Sequence, residues 1–202
     1  MTLLGRIAVF FPAAHLAASG ACIVWFVHQL SAAAFALALF VLYLLPPLLF
    51  RLYSLKYPAR AGTWVLDRPV RSDWWVAHQL QMPYATLPAL EAVLRITPGA
   101  YSAWLRLWGC RVGRKVHWTP RIDIIDRHLL SIGDGAVFGH RMTCTSHIIT
   151  KKKNGHFVLT VKPVVIGPGA VIGAGARIGL GVEIPANAMV PYNAEYRWRY
   201  AA

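Results

Sequence analysis

The chain has 202 residues, of which 56% are hydrophobic and 14% charged, with a net charge of +13 and a mean hydropathy of +0.45. A soluble domain usually carries about 25% charged residues, so an ordinary soluble domain spanning the whole length is excluded. Cys22, Cys110 and Cys144 form an odd, scattered set without metal spacing, which argues against a disulfide framework and fits a reducing compartment.

The apolar content is concentrated at the amino terminus. No Asp, Glu, Lys or Arg lies between Arg6 and Arg51, and of the 21 Lys and Arg only Arg6 precedes that gap. A bilayer core of about 30 Å takes roughly 20 helical residues, and the gap holds about twice that. Two helices are therefore expected, over 7–27 and 33–53, turning near His28, Gln29 and Ser31. A soluble hairpin would show a polar outer face, which this one lacks. The small residues at 17–21 resemble a signal-peptide cleavage site, but the apolar stretch continues far past them. Residues 1–56 thus read as a transmembrane hairpin. Arg6 precedes it and Arg51, Lys56 and Arg60 follow it, while the turn carries no charge. The positive-inside rule then puts both ends on the cytoplasmic side of a bacterial-type inner (plasma) membrane, as a multi-pass protein. No nucleic-acid motif accompanies the basic charge. Attraction to anionic lipids, about 1 kcal/mol per well-placed cation, accounts for it.

Residues 57–110 read as an interfacial helical connector, since six of the eight tryptophans lie between Trp64 and Trp118. Ser72 and Asp73 are expected to cap a helix through Trp74, Trp75 and His78 that ends near Pro83. A second helix is expected over 88–96, with Pro88 in its first turn. Thr97 and Pro98 would cap and open a third, closed by Gly109. In that third helix Tyr101, Trp104, Leu105 and Trp108 share one face, with Arg106 and Arg111 off it. Such a face lies in the membrane plane, covers one end of the next domain, or does both.

Residues 111–202 carry a six-residue repeat. It runs Ile166-Gly167-Pro168-Gly169-Ala170-Val171, Ile172-Gly173-Ala174-Gly175-Ala176-Arg177, Ile178-Gly179-Leu180-Gly181-Val182-Glu183, Ile184-Pro185-Ala186-Asn187-Ala188-Met189. One aliphatic per unit points inward and stacks on the next coil. The fourth position, Gly or Asn, supplies positive φ at a turn, and three units close a triangular coil. The phase recurs from Ile132 and from Val112. From Ile132 to Ile166 is 34 residues, four more than a multiple of six, so an insertion is expected within 148–162. Its Lys151-Lys152-Lys153-Asn154-Gly155 is too polar for a coil side. About four coils and one protruding loop follow, the repeat being broken once. The fold class expected is α plus β-helix: hairpin, connector, then parallel β-helix.

These residues resemble the hexapeptide-repeat acyltransferases over about residues 105–190. Leu107-Trp108-Gly109-Cys110-Arg111-Val112-Gly113-Arg114 looks like that family's lead into its first coil. Ile132-Gly133-Asp134-Gly135, followed by Thr145-Ser146-His147, resembles the segment bearing its active-site histidine. The resemblance implies a left-handed β-helix and a homotrimer with sites between neighbouring subunits. It also implies acyl transfer, in the first instance of acetyl, from a thioester to a hydroxyl or amine. Acyl-CoA or an acyl-carrier protein would be co-substrate, with no permanently bound cofactor. His147 carries over as general base, and imidazole suits that role at neutral pH. No Ser–His–Asp set is evident, so the acceptor attacks directly, and Cys144 occupies an inward core position.

His140, His156, Lys151, Lys152 and Lys153 are candidates for substrate or donor binding. Backbone N–H groups at glycine turns can hold an oxyanion, which adds Gly173 and Ala174. Asp134 and Asp126 either orient the base or only hold turns, and His128 reads as structural. His15, polar inside a span, is left without a role. The hairpin points to a lipid-linked or membrane-associated acceptor and to membrane lipids as partners. Two other readings stay open: a non-catalytic membrane β-helix scaffold, and a zinc enzyme of the carbonic-anhydrase kind built on His140, His147 and His156.

Overall fold

The computed structural model describes residues 3–67 and 73–197, so the expected cap at Ser72 lies outside the described residues. A short helix, Leu3–Ala8, precedes the hairpin. The hairpin helices run Phe11–Gln29 and Ala32–Lys56. They are joined through Leu30, which is left-handed at φ 46°, and through Ser31, whose hydroxyl accepts from Ala34 N at 3.2 Å. Both are long and apolar enough to cross a membrane, with mean hydropathies of 1.3 and 2.3. Val24, Val27, Leu52 and Leu55 on their outer faces are exposed.

The second helix contains a π turn at Phe40–Leu44. Pro46 and Pro47 have no N–H, so the carbonyls of Leu42 and Tyr43 lose their helical donors. Leu45 N–H reaches back five residues to Phe40 O, which frees Val41 O as well. Each freed carbonyl accepts from a side chain. His15 Nε2 lies 2.9 Å from Val41 O, Tyr84 OH 2.6 Å from Leu42 O, and Trp104 Nε1 2.8 Å from Tyr43 O. An unsatisfied buried acceptor costs about 1–3 kcal/mol, so the double proline is compensated from three directions. Two of those donors come from the connector, which locks it to the hairpin.

The connector helices are Asp73–Thr86, Ala89–Ile96 and Ala100–Leu107. The first runs past Pro83 and closes with Leu87 N donating to Pro83 O. Proline there removes one donor without ending the last turn. The second is preceded by Pro88 as its cap rather than containing it, and the third starts after Gly99 (φ 80°), not at Pro98. Tyr101, Trp104, Leu105 and Trp108 are all buried, so that face covers the β-helix end and the hairpin. One continuous core runs from Ala8 and Phe50 through these rings to Val190.

After β1 (Gly62–Val65) and the connector come four coils. Coil 1 is β2 (Arg111–Val112), β3 (His117–Trp118) and β4 (Asp123–Ile124); coil 2 is β5 (Leu130–Ile132), β6 (Val137–Phe138) and β7 (Thr143–Cys144). An excursion, β8 (His147–Lys151) and β9 (Phe157–Val161), follows. Coil 3 is β10 (Val164–Ile166), β11 (Val171–Ile172) and β12 (Arg177–Ile178); coil 4 is β13 (Glu183–Ile184), β14 (Met189–Val190) and β15 (Glu195–Tyr196). Equivalent strands pair in parallel into three four-stranded sheets, which is the parallel β-helix the repeat requires. Val112, Ile132, Ile166 and Ile184 form one inward stack. Trp118 and Phe138 stack at 4.6 Å in another, and burying each such side chain stabilises by about 1.5–3 kcal/mol. The fourth repeat positions Gly169, Gly175, Gly181 and Asn187 have φ of 66°, 70°, 66° and 58°. The second position needs glycine for another reason: a Cβ at Gly133 would lie 2.3 Å from Pro168 N of the next coil.

The excursion is not wholly polar. β8 and β9 form a hairpin, and β9 also pairs antiparallel with β1. Val158, Leu159, Thr160 and Val161 are buried, because the pairing with β1 closes that strand on its second edge. This small sheet packs Leu159 and Val161 against Trp74 and Leu129.

The repeat is broken twice, not once. Val112 to Ile132 is 20 residues, two more than a multiple of six. The extra residues form a short 3-10 turn, Arg127–Leu129, between β4 and β5. The larger excursion leaves coil 2 at the equivalent corner, between β7 and β10. Both irregularities therefore sit on one edge of the prism, on adjacent coils.

Candidate active site

The two breaks bring Asp126 and His147 together. Asp126 precedes the 3-10 turn, and His147 opens β8. Asp126 Oδ2 lies 2.7 Å from His147 Nδ1 and accepts from Ser146 N at 2.8 Å. The Trp74 indole donates to Oδ1 at 2.9 Å, and the Thr145 hydroxyl reaches Oδ2 at 3.4 Å. Asp126 is 2% exposed. Burial on its own would raise its pKa. The hydrogen bonds from His147 and Trp74 and the nearby His147 and His128 outweigh that and hold it at about 2. An ionised Asp126 fixes the Nδ1–H tautomer of His147 and leaves the Nε2 lone pair as a base. The His147 side chain is 17% exposed, and Nε2 has no hydrogen bond among the described residues.

Helix Asp73–Thr86 roofs the imidazole. The Trp74 ring lies 4.4 Å from it and the His78 ring 5.7 Å, edge-on. His78 Nδ1 is buried without a hydrogen-bond partner. Burial lowers its pKa, with Asp126 pulling the other way. One layer further in, His128 is driven down to about 4 by burial, against the pull of Asp126. It packs on Phe50 and pairs with the Gln81 amide at 3.0 Å.

A buried ion cluster holds the Asp126 turn in place. Arg127 Nε donates to Glu91 Oε1 at 2.8 Å, and its terminal nitrogen also bonds that oxygen. Arg127 N donates to Gln81 Oε1 at 2.8 Å. Arg95 and the Tyr101 hydroxyl share Glu91 Oε2 at 2.6 and 2.5 Å. Thus a carboxylate on helix Ala89–Ile96 grips the residue after Asp126.

The expected site residues divide by corner. His140, Gly173 and Ala174 sit where the second sheet meets the third, across a sheet face from His147. There His140 O accepts from Gly175 N at 2.8 Å. Gly173 N–H donates to Val190 O at 2.9 Å, so it is spent on the coil ladder and cannot hold an oxyanion. Asp134 sits at the remaining corner, where Oδ1 accepts from Arg114 N at 2.7 Å. Asp134 holds a turn; it does not orient the base. Lys151, four residues along β8 from His147, lies about 13 Å away, with its ammonium over the Phe157 ring. Lys152 and Lys153 continue outward, and His156 beyond them bonds Asp67 at 2.7 Å. His140, His147 and His156 therefore do not converge within one chain, which takes away the zinc constellation at that level. Cys144 points inward, and burial pushes its thiol well up, so it is no nucleophile.

No family model matches the chain, and no curated protein matches it. Among solved structures, a hexapeptide-repeat-containing acetyltransferase from Vibrio cholerae is similar at 16% identity and a TM-score of 0.35, covering 58% of this chain and 89% of that one. A maltose O-acetyltransferase from Clostridium difficile 630 is similar at 14% identity and a TM-score of 0.32, covering 68% and 88%. Both likenesses are distant, and the β-helix stands on this chain's own strand pairing.

Trp74, His78, Gln81, Glu91 and Arg127 were not expected at the site. The connector residues carry no spacing signal, since their distance to His147 is closed only by tertiary packing. The two-residue slip between Val112 and Ile132 does point to Asp126 and Arg127.

Proposed function

We propose that this chain is a membrane-anchored acyltransferase that moves an acyl group, acetyl in the first instance, from a thioester to a hydroxyl or amine. The observation that carries the reading is the 2.7 Å contact between Asp126 and His147 Nδ1, with Nε2 unengaged among the described residues. The acceptor gives its proton to Nε2 as its oxygen or nitrogen bonds to the thioester carbonyl carbon. The tetrahedral oxyanion collapses, the C–S bond breaks, and the departing thiolate takes the proton back from the imidazolium. Asp126 stabilises that imidazolium without itself taking the proton. Acyl-CoA or an acyl-carrier protein is the donor, and three copies of the chain, with sites between neighbours, complete the enzyme.

The hairpin spans the membrane with both ends cytoplasmic, which is supported by its exposed apolar faces and by Arg6, Arg51, Lys56 and Arg60 at one end. The acceptor is a lipid-linked or membrane-associated molecule delivered to the cytoplasmic leaflet. Membranes carrying the protein, incubated with acetyl-labelled coenzyme A, should yield label in the organic extract. Label that stays in the aqueous phase, in the presence of soluble product, would remove the lipid-linked acceptor.

A further inference from the structure

The groove between helix Ala89–Ile96 and the corner of Arg121 and Arg141 has no part in the proposed chemistry. It has a volume of about 610 Å³, within the range of small-molecule sites. The helix side is apolar at Pro88, Ala89 and Ala92 and ends in Arg95, and the facing corner carries Arg121 and Arg141. We propose that this groove binds the phosphate headgroup of an anionic membrane lipid.

Three observations carry the assignment. First, Arg121 and Arg141 occupy the same corner on adjacent coils, with Arg141 N bonded to Arg121 O. Their backbones are thus about 4.8 Å apart, and both side chains are exposed, with no ion pair among the described residues. Like charges stacked at that spacing repel one another, and a bound phosphate relieves the repulsion. Asp123 is the one carboxylate among the residues lining the groove, against three arginines. Second, Arg95 has a side chain only 2% exposed. Two of its nitrogens are engaged, by Pro120 O at 2.8 Å and by Glu91, while Nε is buried without a partner. The guanidinium is thus held rigidly at the groove lining by Pro120 and Glu91, so Arg121 and Arg141 are the groups free to take an anion.

Third, the groove's helix is fastened to the hairpin and turns apolar side chains outward. Tyr43 OH, in the second hairpin helix, donates to Leu90 O at 3.0 Å. Leu87, Val93 and Ile96 are exposed. Tyr43 lies eight residues before Arg51, about 12 Å along the helix, so Leu90 is held on the bilayer side of the Arg51 level, where these side chains meet acyl chains. A lipid would lay its chains against them and its phosphate between the arginines, a division that a free phosphate cannot use. The inference rests on the membrane position proposed above but not on acyl transfer.

The test is native mass spectrometry of the full-length protein released from neutral detergent micelles. Phosphatidylglycerol, phosphatidylcholine and inorganic phosphate are each added separately, and phosphate is also used as a competitor. Phosphatidylglycerol should be retained in preference to phosphatidylcholine. Arg121→Gln and Arg141→Gln should each lower retention about fivefold, and the Lys pair at the same positions should restore most of it. His147→Ala should retain the lipid like the parent, which separates this inference from the acyltransferase reading. Equal retention of both lipids, or retention unchanged by the two Gln substitutions, overturns the proposal. Complete displacement by millimolar phosphate also overturns it, because the site would then be one for a free anion.

Discussion

Asp126 and His147, separated by 21 residues, meet at 2.7 Å because the six-residue repeat is broken at the same corner of two successive coils. At that corner the regular repeat of coil 3 places Gly179, Leu180 and Gly181, none of which could supply an acid or a base. The first break supplies the carboxylate, and the second supplies the base.

Asp126→Asn should lower kcat about 10²–10⁴-fold with a small change in KM. The amide cannot stabilise an imidazolium and does not impose the Nδ1–H tautomer. The check is steady-state kinetics together with a His147 tautomer assignment by nitrogen NMR. An unchanged kcat would show that Asp126 only holds the turn.

His128 gives the protein an acid sensitivity of definite sign. Its folded pKa, about 4, lies below the ordinary 6.5, so between these values the unfolded chain binds more protons. Stability conferred by neutral His128 is present above about 6.5 and is lost as pH falls toward 4. Thermal unfolding in detergent should show Tm falling across that window, and His128→Asn should flatten the slope. Asp126, with its folded pKa at about 2, acts lower: its contribution is present above the ordinary carboxylate range and lost as pH falls through about 2.

Glu91→Gln should destabilise the protein by about 3–5 kcal/mol. It removes the carboxylate that ion-pairs with Arg127 and Arg95, whose side-chain exposures are 1% and 2%. Denaturation of the variant should also show a loss of activity before global unfolding, because the Asp126 turn hangs on Arg127. A variant as stable as the parent would contradict the cluster's structural role.

Much of this was legible in the sequence, for identifiable reasons. A repeat with one inward aliphatic and one positive-φ residue per six leaves a periodic trace, so the four coils and the left-handed turn positions Gly169, Gly175, Gly181 and Asn187 could be read directly. The charge gap between Arg6 and Arg51 marked the hairpin in the same way. The roof over His147 was not legible. Trp74 and His78 look like any two residues one helical turn apart until the connector folds back, and Glu91 looks like a solvated acid until Arg127 is buried beside it. Asp126 and Asp134 both read as residues that could orient the base, and the small phase slip before Ile132 was the signal that would have told the two apart. Glycine turns also misled at Gly173, whose N–H was expected at the site but serves the coil ladder.

Tyr84→Phe tests the coupling between connector and hairpin. It leaves Leu42 O, freed by Pro46, without the donor it has at 2.6 Å. A loss of about 1–3 kcal/mol is expected, read as a lower Tm in detergent with the β-helix secondary structure unchanged below the transition. An unshifted Tm would mean that water or another group satisfies that carbonyl.

The central claim is that His147 Nε2 takes the acceptor's proton. The direct measurement is thiol release from acetyl-coenzyme A by purified full-length protein and by His147→Ala, each supplied with extracted membrane lipids and glycans as acceptors. The account predicts acceptor-dependent release by the parent and a loss of at least about 10²-fold in the variant, with folding and lipid retention unchanged. Release by His147→Ala at the parent's rate would contradict it.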